Sequence, residues 1–303
     1  MTRLDLSGQA LNEVPAHVLH DPSITHLWID DNNISKIPDA FRQLEKLESF
    51  SAYKNNITSI PDCIFAIAPL KRLNVSVNQL SQISSLIAKL NSLEVLDIQH
   101  NKIETIPDAV TLLNNLQYLL VGDNKLTALP NDISNLTRLL YLNITYNQFS
   151  EFPECICDLN RLLELRIYNN QIISFPETIA GLKNLRELHA NDNMLTTLPD
   201  NIGTLSQLRK LVLSHNQIRA LPDSIASMQN LTDLDLRSNK LISLPETMGS
   251  MTNLRYLDLR DNRLKTLPEQ LKQLKNLEKL DLRMNKELII PSWIDELSCT
   301  VFY

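Results

Sequence analysis

The sequence predicts an α/β solenoid with a parallel β-sheet on its concave face and short helical or 3-10 turns on its convex face. Two observations carry the prediction. The 303 residues divide into thirteen units of 23 residues with four left over, and no unit contains an insertion. Seven positions of each unit are apolar, and only Asp21 and Glu287 depart from that rule. The units begin at Met1, Ile24, Leu47, Leu70, Leu93, Leu116, Leu139, Leu162, Leu185, Leu208, Leu231, Leu254 and Leu277.

Each unit opens with a predicted strand. Repeat positions 4 and 6 are apolar and positions 3, 5 and 7 are mostly polar, an alternation typical of a strand with one face on a core. Identical strands at a fixed spacing stack as a parallel sheet with right-handed connections. We therefore expect residues 1–303 to form one domain, in which positions 3, 5, 7 and 8 are exposed on the concave face.

Asparagine and proline mark the rest of the unit. Position 9 is Asn in twelve units, and its amide can bond backbone groups of its own and neighbouring turns. Position 15 is Pro in twelve units, which suits the first position of a short helical turn. Nine acidic residues follow these prolines and complement the helix dipole. We expect Trp293, Val301, Phe302 and Tyr303 to close the C-terminal end.

The whole chain resembles the leucine-rich repeat family through this L-x-x-L-x-L-x-x-N-x-L-x-x-L-P-x-x-I-x-x-L pattern. Its L-P-x-x-I-x-x-L half is similar to the intracellular Ras-group repeats and to the effectors that pathogenic bacteria deliver into host cells. The resemblance implies a horseshoe-shaped binding module. The cysteine-rich caps usual in extracellular members have no counterpart here, and no appended catalytic domain fits the remaining length.

Composition narrows the function further. The net charge of −6 argues against nucleic-acid binding, since that affinity comes mainly from neutralised phosphates. We find neither a signal-peptide pattern nor an apolar run of membrane-spanning length. Four cysteines are too few for a disulfide scaffold. These observations favour a reduced, soluble, cytoplasmic protein without a cofactor.

Histidine and acidic residues raise a catalytic or metal-binding alternative. His189 and His215 fall in adjacent repeats, near Glu187 and Asp192, so an acid–base pair or a metal site is geometrically conceivable. Exposed strand positions of this pattern take any polar residue, however, and no phosphate loop or nucleophile elbow is present. We favour a non-enzymatic protein and keep the His189 and Glu187 region as a remote alternative.

Tyrosine and tryptophan indicate a binding surface. Six of the seven tyrosines fall at exposed strand positions, whereas most phenylalanines fill apolar positions. Tyr and Trp are enriched in binding hot spots. The predicted protein-binding residues are Trp28, Tyr53, Tyr118, Leu120, Tyr141, Tyr146, Arg166, Tyr168, Glu187 and His189. Asn143 and Thr145 lie between the tyrosines in sequence and are expected on the same patch.

Charge on the predicted concave face is unevenly distributed. The last three repeats carry Asp235/Arg237, Asp258/Arg260 and Asp281/Arg283, opposite charges that can pair across strands. The earlier repeats form a mildly acidic surface, which suggests a partner with a basic surface.

We therefore predict a monomeric, non-catalytic module that binds a folded protein, with no nucleic acid and no membrane insertion. It would act as an inhibitor, adaptor, effector or regulator, in the host cytosol if it is a secreted bacterial effector. The alternative is a cytosolic scaffold or signalling regulator that uses its lateral or convex surfaces.

Overall fold

A computed structural model describes residues 2–303, which fall into two compact units. The first unit ends at Gln148, and the second spans Phe149–Tyr303. Met1, the first position of the first predicted repeat, lies outside the described residues. The assignment of residues 1–303 to one domain stays a prediction.

The first unit contains seven short strands in sequence order, and each pairs in parallel with the next. Partners across these strands occupy the same repeat position, as Leu73 does opposite Leu96, except at the register shift where Thr2 pairs with Ile24. The strands are β1 (Thr2–Asp5), β2 (Ile24–Trp28), β3 (Ser49–Ser51), β4 (Arg72–Asn74), β5 (Val95–Asp97), β6 (Tyr118–Leu120) and β7 (Tyr141–Asn143).

The second unit repeats this arrangement with seven more parallel strands. The last strand is formed by residues outside the 23-residue pattern, so the predicted C-terminal cap is partly a fourteenth strand. The Phe302 ring there lies 5.2 Å from the charged groups of both Lys279 and Arg283. The strands are β8 (Glu164–Arg166), β9 (Glu187–His189), β10 (Lys210–Val212), β11 (Asp233–Asp235), β12 (Tyr256–Asp258), β13 (Lys279–Asp281) and β14 (Thr300–Phe302).

Short helical turns return the chain from one strand to the next. Two are single α-helical turns, α1 (Ala16–Leu19) and α2 (Asp62–Phe65). The remaining turns are 3-10 helices at Asp39–Gln43, Ser85–Lys89, Asp108–Leu112, Asn131–Asn135, Glu154–Asp158, Glu177–Gly181, Asp200–Thr204, Asp223–Ser227, Glu246–Ser250, Glu269–Gln273 and Ser292–Glu296. Within residues 2–303, no helix is long or apolar enough to span a bilayer.

The repeated proline lies one residue earlier than the sequence predicts. Pro38, for example, has an extended ψ of 149° and precedes the 3-10 helix that begins at Asp39. Its carbonyl accepts from the Phe41 amide at 3.0 Å, so the ring stabilises the approach to the turn rather than its first position. Ser84, which replaces proline in one repeat, caps its turn by accepting from the Leu86 amide at 3.2 Å.

Each strand from β2 to β13 is followed by a left-handed residue and then by the repeated asparagine. Position 8 is non-glycine in all repeats but the first, yet its φ lies between 49° and 65°. The asparagine that follows holds this turn, as predicted. The Asn78 amide nitrogen donates to Ala52, Val75 and Ser76 carbonyls at 2.9–3.1 Å, and its oxygen accepts from the Ile57 amide at 2.9 Å.

Candidate functional site

The exposed sheet face of the first unit carries a tyrosine patch, formed by Tyr118, Leu120, Tyr141 and Tyr146. Tyr118 and Tyr141 occupy the same position on adjacent strands, with ring centroids 6.1 Å apart. Tyr118 is 41% exposed and Tyr146 is 51% exposed, while Leu120 is half-buried beside them. The alternation of β6 produces this display, because Leu119 between Tyr118 and Leu120 is fully buried.

A polar floor lies beside the tyrosine patch, and the sequence reasoning missed it. Gly122 leaves a gap that Gln99 crosses, so that the Asn143 amide donates to the Gln99 side-chain oxygen at 2.8 Å. A Cβ on Gly122 would lie 2.8 Å from the Thr145 hydroxyl. Asn143 and Thr145 are therefore buried rather than exposed in the patch, which corrects the prediction. A glycine at a strand position, in a chain with five glycines, was the available signal.

Asp97 completes this floor with a carboxylate whose hydrogen bonds do not offset the cost of its burial. Burial raises its pKa, although the Gln99 backbone and side-chain amides bond it at 3.1 and 3.3 Å and the charge of His100 opposes the shift. Burial also raises the pKa of Asp30 nearer the N-terminus, against bonds from Ser51 at 2.6 Å and from the Tyr53 amide at 2.8 Å. Both carboxylates would gain from a cationic neighbour.

Trp28 and Tyr53 lie closer to the N-terminus on the same sheet. Trp28 is half-buried, and its ring centroid is 5.8 Å from that of His26. Tyr53 is 39% exposed, next to the exposed ion pair of Lys54 and Asp31. Trp28 lies on β2 and Tyr118 on β6, so at about 4.8 Å per strand these two aromatic residues are about 19 Å apart.

The remaining predicted residues lie in the second unit. Tyr168 is half-buried, and Arg166 donates from Nε to Glu164 Oε1 at 2.6 Å. His189 Nε2 lies 3.0 Å from Glu187 Oε2 on β9. His215 instead pairs with Asp192 at 4.0 Å, so the two histidines belong to separate pairs rather than to the single cluster that the catalytic alternative considered.

Two of the three predicted aspartate–arginine pairs of the second unit, Asp258/Arg260 and Asp281/Arg283, form side-chain hydrogen bonds as predicted. In the third pair, burial raises the pKa of Asp235, and Arg237 Nε has no hydrogen-bond partner among the described residues. Arg260 Nε donates to Asp258 at 2.9 Å and lies 3.4 Å from Asp281 on the next strand. Arg283 bonds both oxygens of Asp281, at 2.9 and 2.7 Å. Burial alone would raise the pKa of Asp281, but the bonds from Arg283 and the charge of Arg260 outweigh it and hold the pKa below its usual value.

The cysteines show no sign of activation. The side chain of Cys157, in the turn Glu154–Asp158, is buried, and burial raises the pKa of its thiol to about 11. The pKa values of Cys63, Cys155 and Cys299 are raised by burial as well. A thiol acts as a nucleophile or metal ligand in its ionised form, so these environments disfavour both roles.

Comparison with protein families identifies the repeats. The model described as "Leucine-rich repeat region" matches residues 130–212, and "Leucine rich repeat" matches residues 53–103, 68–126, 91–149 and 229–286. "Leucine Rich repeats (2 copies)" matches residues 206–246, and a further "Leucine Rich Repeat" model matches residues 23–44. No curated protein sequence matches the chain significantly.

Solved structures show the same architecture. A leucine-rich repeat protein of Leptospira interrogans is 33% identical, with a TM-score of 0.91 over 97% of this chain and 82% of that one. The Arabidopsis receptor kinase HAESA, in complex with the peptide hormone IDA and the co-receptor SERK1, is 29% identical, with a TM-score of 0.79 over 92% of this chain and 49% of the receptor. TLR13 in complex with ssRNA13 is 29% identical, with a TM-score of 0.75 over 87% of this chain and 40% of that one.

Proposed function

Because this chain belongs to the leucine-rich repeat family, we propose that it is a protein-binding module whose concave sheet face contacts a folded partner. The observation that carries the proposal is the tyrosine patch, where the rings of Tyr118 and Tyr141 lie side by side, the first exposed and the second half-buried. Large rigid aromatic side chains with a polar tip provide most of the affinity in many interfaces. Trp28 and Tyr53 supply a second anchor on the same sheet.

Charge indicates the kind of partner. The tyrosine patch lies next to Asp97, and the N-terminal anchor lies next to Asp30; both carboxylates have pKa values raised by burial. A basic side chain of the partner would relieve this cost and orient the complex. HAESA in its peptide complex provides a precedent within the fold. The ssRNA13 complex of TLR13 is a precedent for RNA binding within the fold. Asp97 in the polar floor of this chain disfavours binding of the negatively charged phosphates of RNA.

In this proposal the protein has no catalytic activity of its own. It works as an inhibitor, adaptor, effector or regulator, free as a monomer, in the cytosol where its partner resides. Arg166, Tyr168, Glu187 and His189 of the second unit contribute orienting contacts. Arg166, Glu187 and His189 carry less of the expected affinity than the tyrosine patch, since Arg166 is paired with Glu164 and His189 with Glu187.

A scaffold that uses its lateral surface is the second candidate. The observation in its favour is that Ile173 and Ile242, both at repeat position 12 outside the strands, are 53% and 54% exposed. Sedimentation over a range of concentrations discriminates between the candidates. Self-association that Ile173→Ser and Ile242→Ser abolish would favour the scaffold, whereas a monomer at all concentrations favours the module.

The direct test is quantitative capture from cytosolic lysate. Wild-type chain and the variant Tyr141→Ala/Tyr146→Ala/Tyr168→Ala are immobilised at equal density, and retained proteins are measured by mass spectrometry. We expect one partner to be retained by the wild type and to bind the variant at least about tenfold more weakly, with a nearly unchanged melting temperature. Equal binding by the two chains would contradict this assignment of the site.

A further inference from the structure

We propose that Glu164, Glu187 and His189 form a zinc-binding site on the sheet face of the second unit. One ligand atom from each side chain lies within 4.8 Å of the other two. Within residues 2–303, this is the one group of three acidic, histidine or cysteine side chains that meets that condition. The site is independent of the tyrosine patch, which lies in the first unit.

Strand register brings the three donors together. Glu164 on β8 is the direct partner of Glu187 on β9, and His189 lies two residues beyond Glu187 on the same side of the strand. Leu165 and Leu188, the residues between, are fully buried and fix the orientation of both strands. The donors therefore project from rigid elements, which metal sites require.

The charges at this position favour a cation. Two glutamates directly opposite each other on neighbouring strands repel. Arg166 Nε donates to Glu164 Oε1 at 2.6 Å, and His189 Nε2 lies 3.0 Å from Glu187 Oε2. A divalent ion between the two carboxylates would remove the repulsion. It would take the second oxygen of Glu164, so that Oε1 keeps its bond from Arg166.

The donor set selects among metals. One imidazole nitrogen with two carboxylate oxygens suits Zn²⁺, whereas Mg²⁺ and Ca²⁺ prefer oxygen ligands alone. Side-chain exposures of 14% for His189 and 41% for Glu187 place the ion at the edge of the core, not inside it. A cavity of about 330 Å³ begins at His189 and continues along Lys210, Val212 and Asp235. The ion therefore keeps open coordination positions toward that cavity, where water or a ligand atom from another molecule completes the shell.

Isothermal titration of the full chain with ZnCl₂, in a buffer that does not chelate zinc, tests the proposal. We expect one saturable site whose affinity falls at least about tenfold in each of Glu164→Gln, Glu187→Gln and His189→Gln. Glu164→Gln and Glu187→Gln keep the size of the glutamates and one acceptor oxygen, and circular dichroism checks that the variants fold. His215→Gln is the matched control, because it removes the other paired histidine of this unit and is expected to leave the titration unchanged.

Two further readouts locate the ion. Co²⁺ substitution should produce visible absorption bands that are lost in His189→Gln, and a large excess of Mg²⁺ or Ca²⁺ should not displace Zn²⁺. The absence of saturable binding to the wild-type chain would overturn the proposal. So would binding that none of the three variants weakens, or that His215→Gln weakens as much as His189→Gln does.

Discussion

Asp97 and Asp281 occupy the same repeat position in the two units, yet their surroundings differ. Asp97 has amide donors from Gln99, and burial raises its pKa. Asp281 is fully buried, but Arg283 bonds it twice and Arg260 approaches to 3.4 Å, so its pKa is lowered. At the same repeat position, Asp97 therefore keeps a carboxylate whose hydrogen bonds do not offset its burial, whereas the carboxylate of Asp281 is neutralised by two arginines of the chain.

The aromatic residues differ in the same direction. Tyr118 and Tyr256 share repeat position 3 and are 41% and 40% exposed. The Tyr256 hydroxyl donates to Glu278 at 2.7 Å, and its ring lies 5.5 Å from the Arg255 guanidinium. Tyr118 contacts another ring of the tyrosine patch. Two tyrosines with equal exposure therefore differ in how readily they can contact a partner. We expect more of the binding energy to come from Tyr118 in the first unit than from Tyr256 in the second.

The largest expected effect is on partner binding. Tyr118→Ala should weaken binding of the captured partner about 30-fold or more, as a hot-spot aromatic loses about 2 kcal/mol or more when truncated. Tyr256→Ala, at matched position and exposure, should change the dissociation constant less than about threefold, because that side chain is engaged within the chain. Surface plasmon resonance measures both, and equal losses would remove the distinction between the units.

A second comparison concerns stability at neutral pH. Asp281→Asn should lower the free energy of unfolding by about 1–3 kcal/mol, because charge-assisted bonds from Arg283 and Arg260 are weakened. Asp97→Asn should raise the free energy of unfolding, because the neutral amide replaces a half-buried carboxylate whose ionised form is disfavoured by its surroundings. Urea denaturation of both variants measures the two signs, and a loss of stability in Asp97→Asn would refute the comparison.

The pH dependence of stability provides a further test of the difference between Asp97 and Asp281. The folded-state pKa of Asp97 is raised, so its ionisation destabilises the fold above that pKa and the cost disappears as the pH falls through it. The advantage of Asp97→Asn should therefore shrink on acidification from pH 7. The folded-state pKa of Asp281 is lowered, so the stability it provides is present above its unfolded pKa of about 3.9 and is lost as the pH falls further. Unfolding midpoints across this range measure both trends.

The smallest expected effect concerns the left-handed position. Val77 has a φ of 54°, which is costly for a β-branched side chain, so Val77→Gly should stabilise the first unit by up to about 1 kcal/mol. Val75→Gly, two residues earlier, should instead destabilise it by about 2 kcal/mol or more, because that side chain is fully buried. Asp192→Gly in the second unit should change stability less than Val77→Gly, since Asp tolerates this conformation better.

The fold was predictable because its determinants recur. Alternation of apolar residues placed Leu119 inside and Tyr118 outside, and the asparagine bonds followed from the chemistry of an amide beside a turn. The paired ladder of Asp258, Arg260 and Asp281 was also predictable, since opposite charges lay at matching repeat positions.

Features that occur once escaped prediction. Strand β14 has no repeat signature, and it forms because its backbone pairs with the open edge of β13. The burial of Asn143 depends on a glycine one strand away and a glutamine two strands away, which no local pattern encodes. The binding role of the predicted site residues stays a prediction.

The asparagine bonds have a consequence for how such a chain can change in length. Each amide bonds only backbone atoms, some in its own repeat and some in the one before, as Asn78 does with Val75 and Ala52. A duplicated or deleted block of 23 residues that keeps the asparagine and the apolar positions would restore these bonds, whichever side chains it carries on its exposed strand positions. A block of any other size would leave an amide opposite the wrong carbonyl. The chain can therefore lengthen or shorten by whole 23-residue repeats, and each added repeat can bring new side chains to its surface.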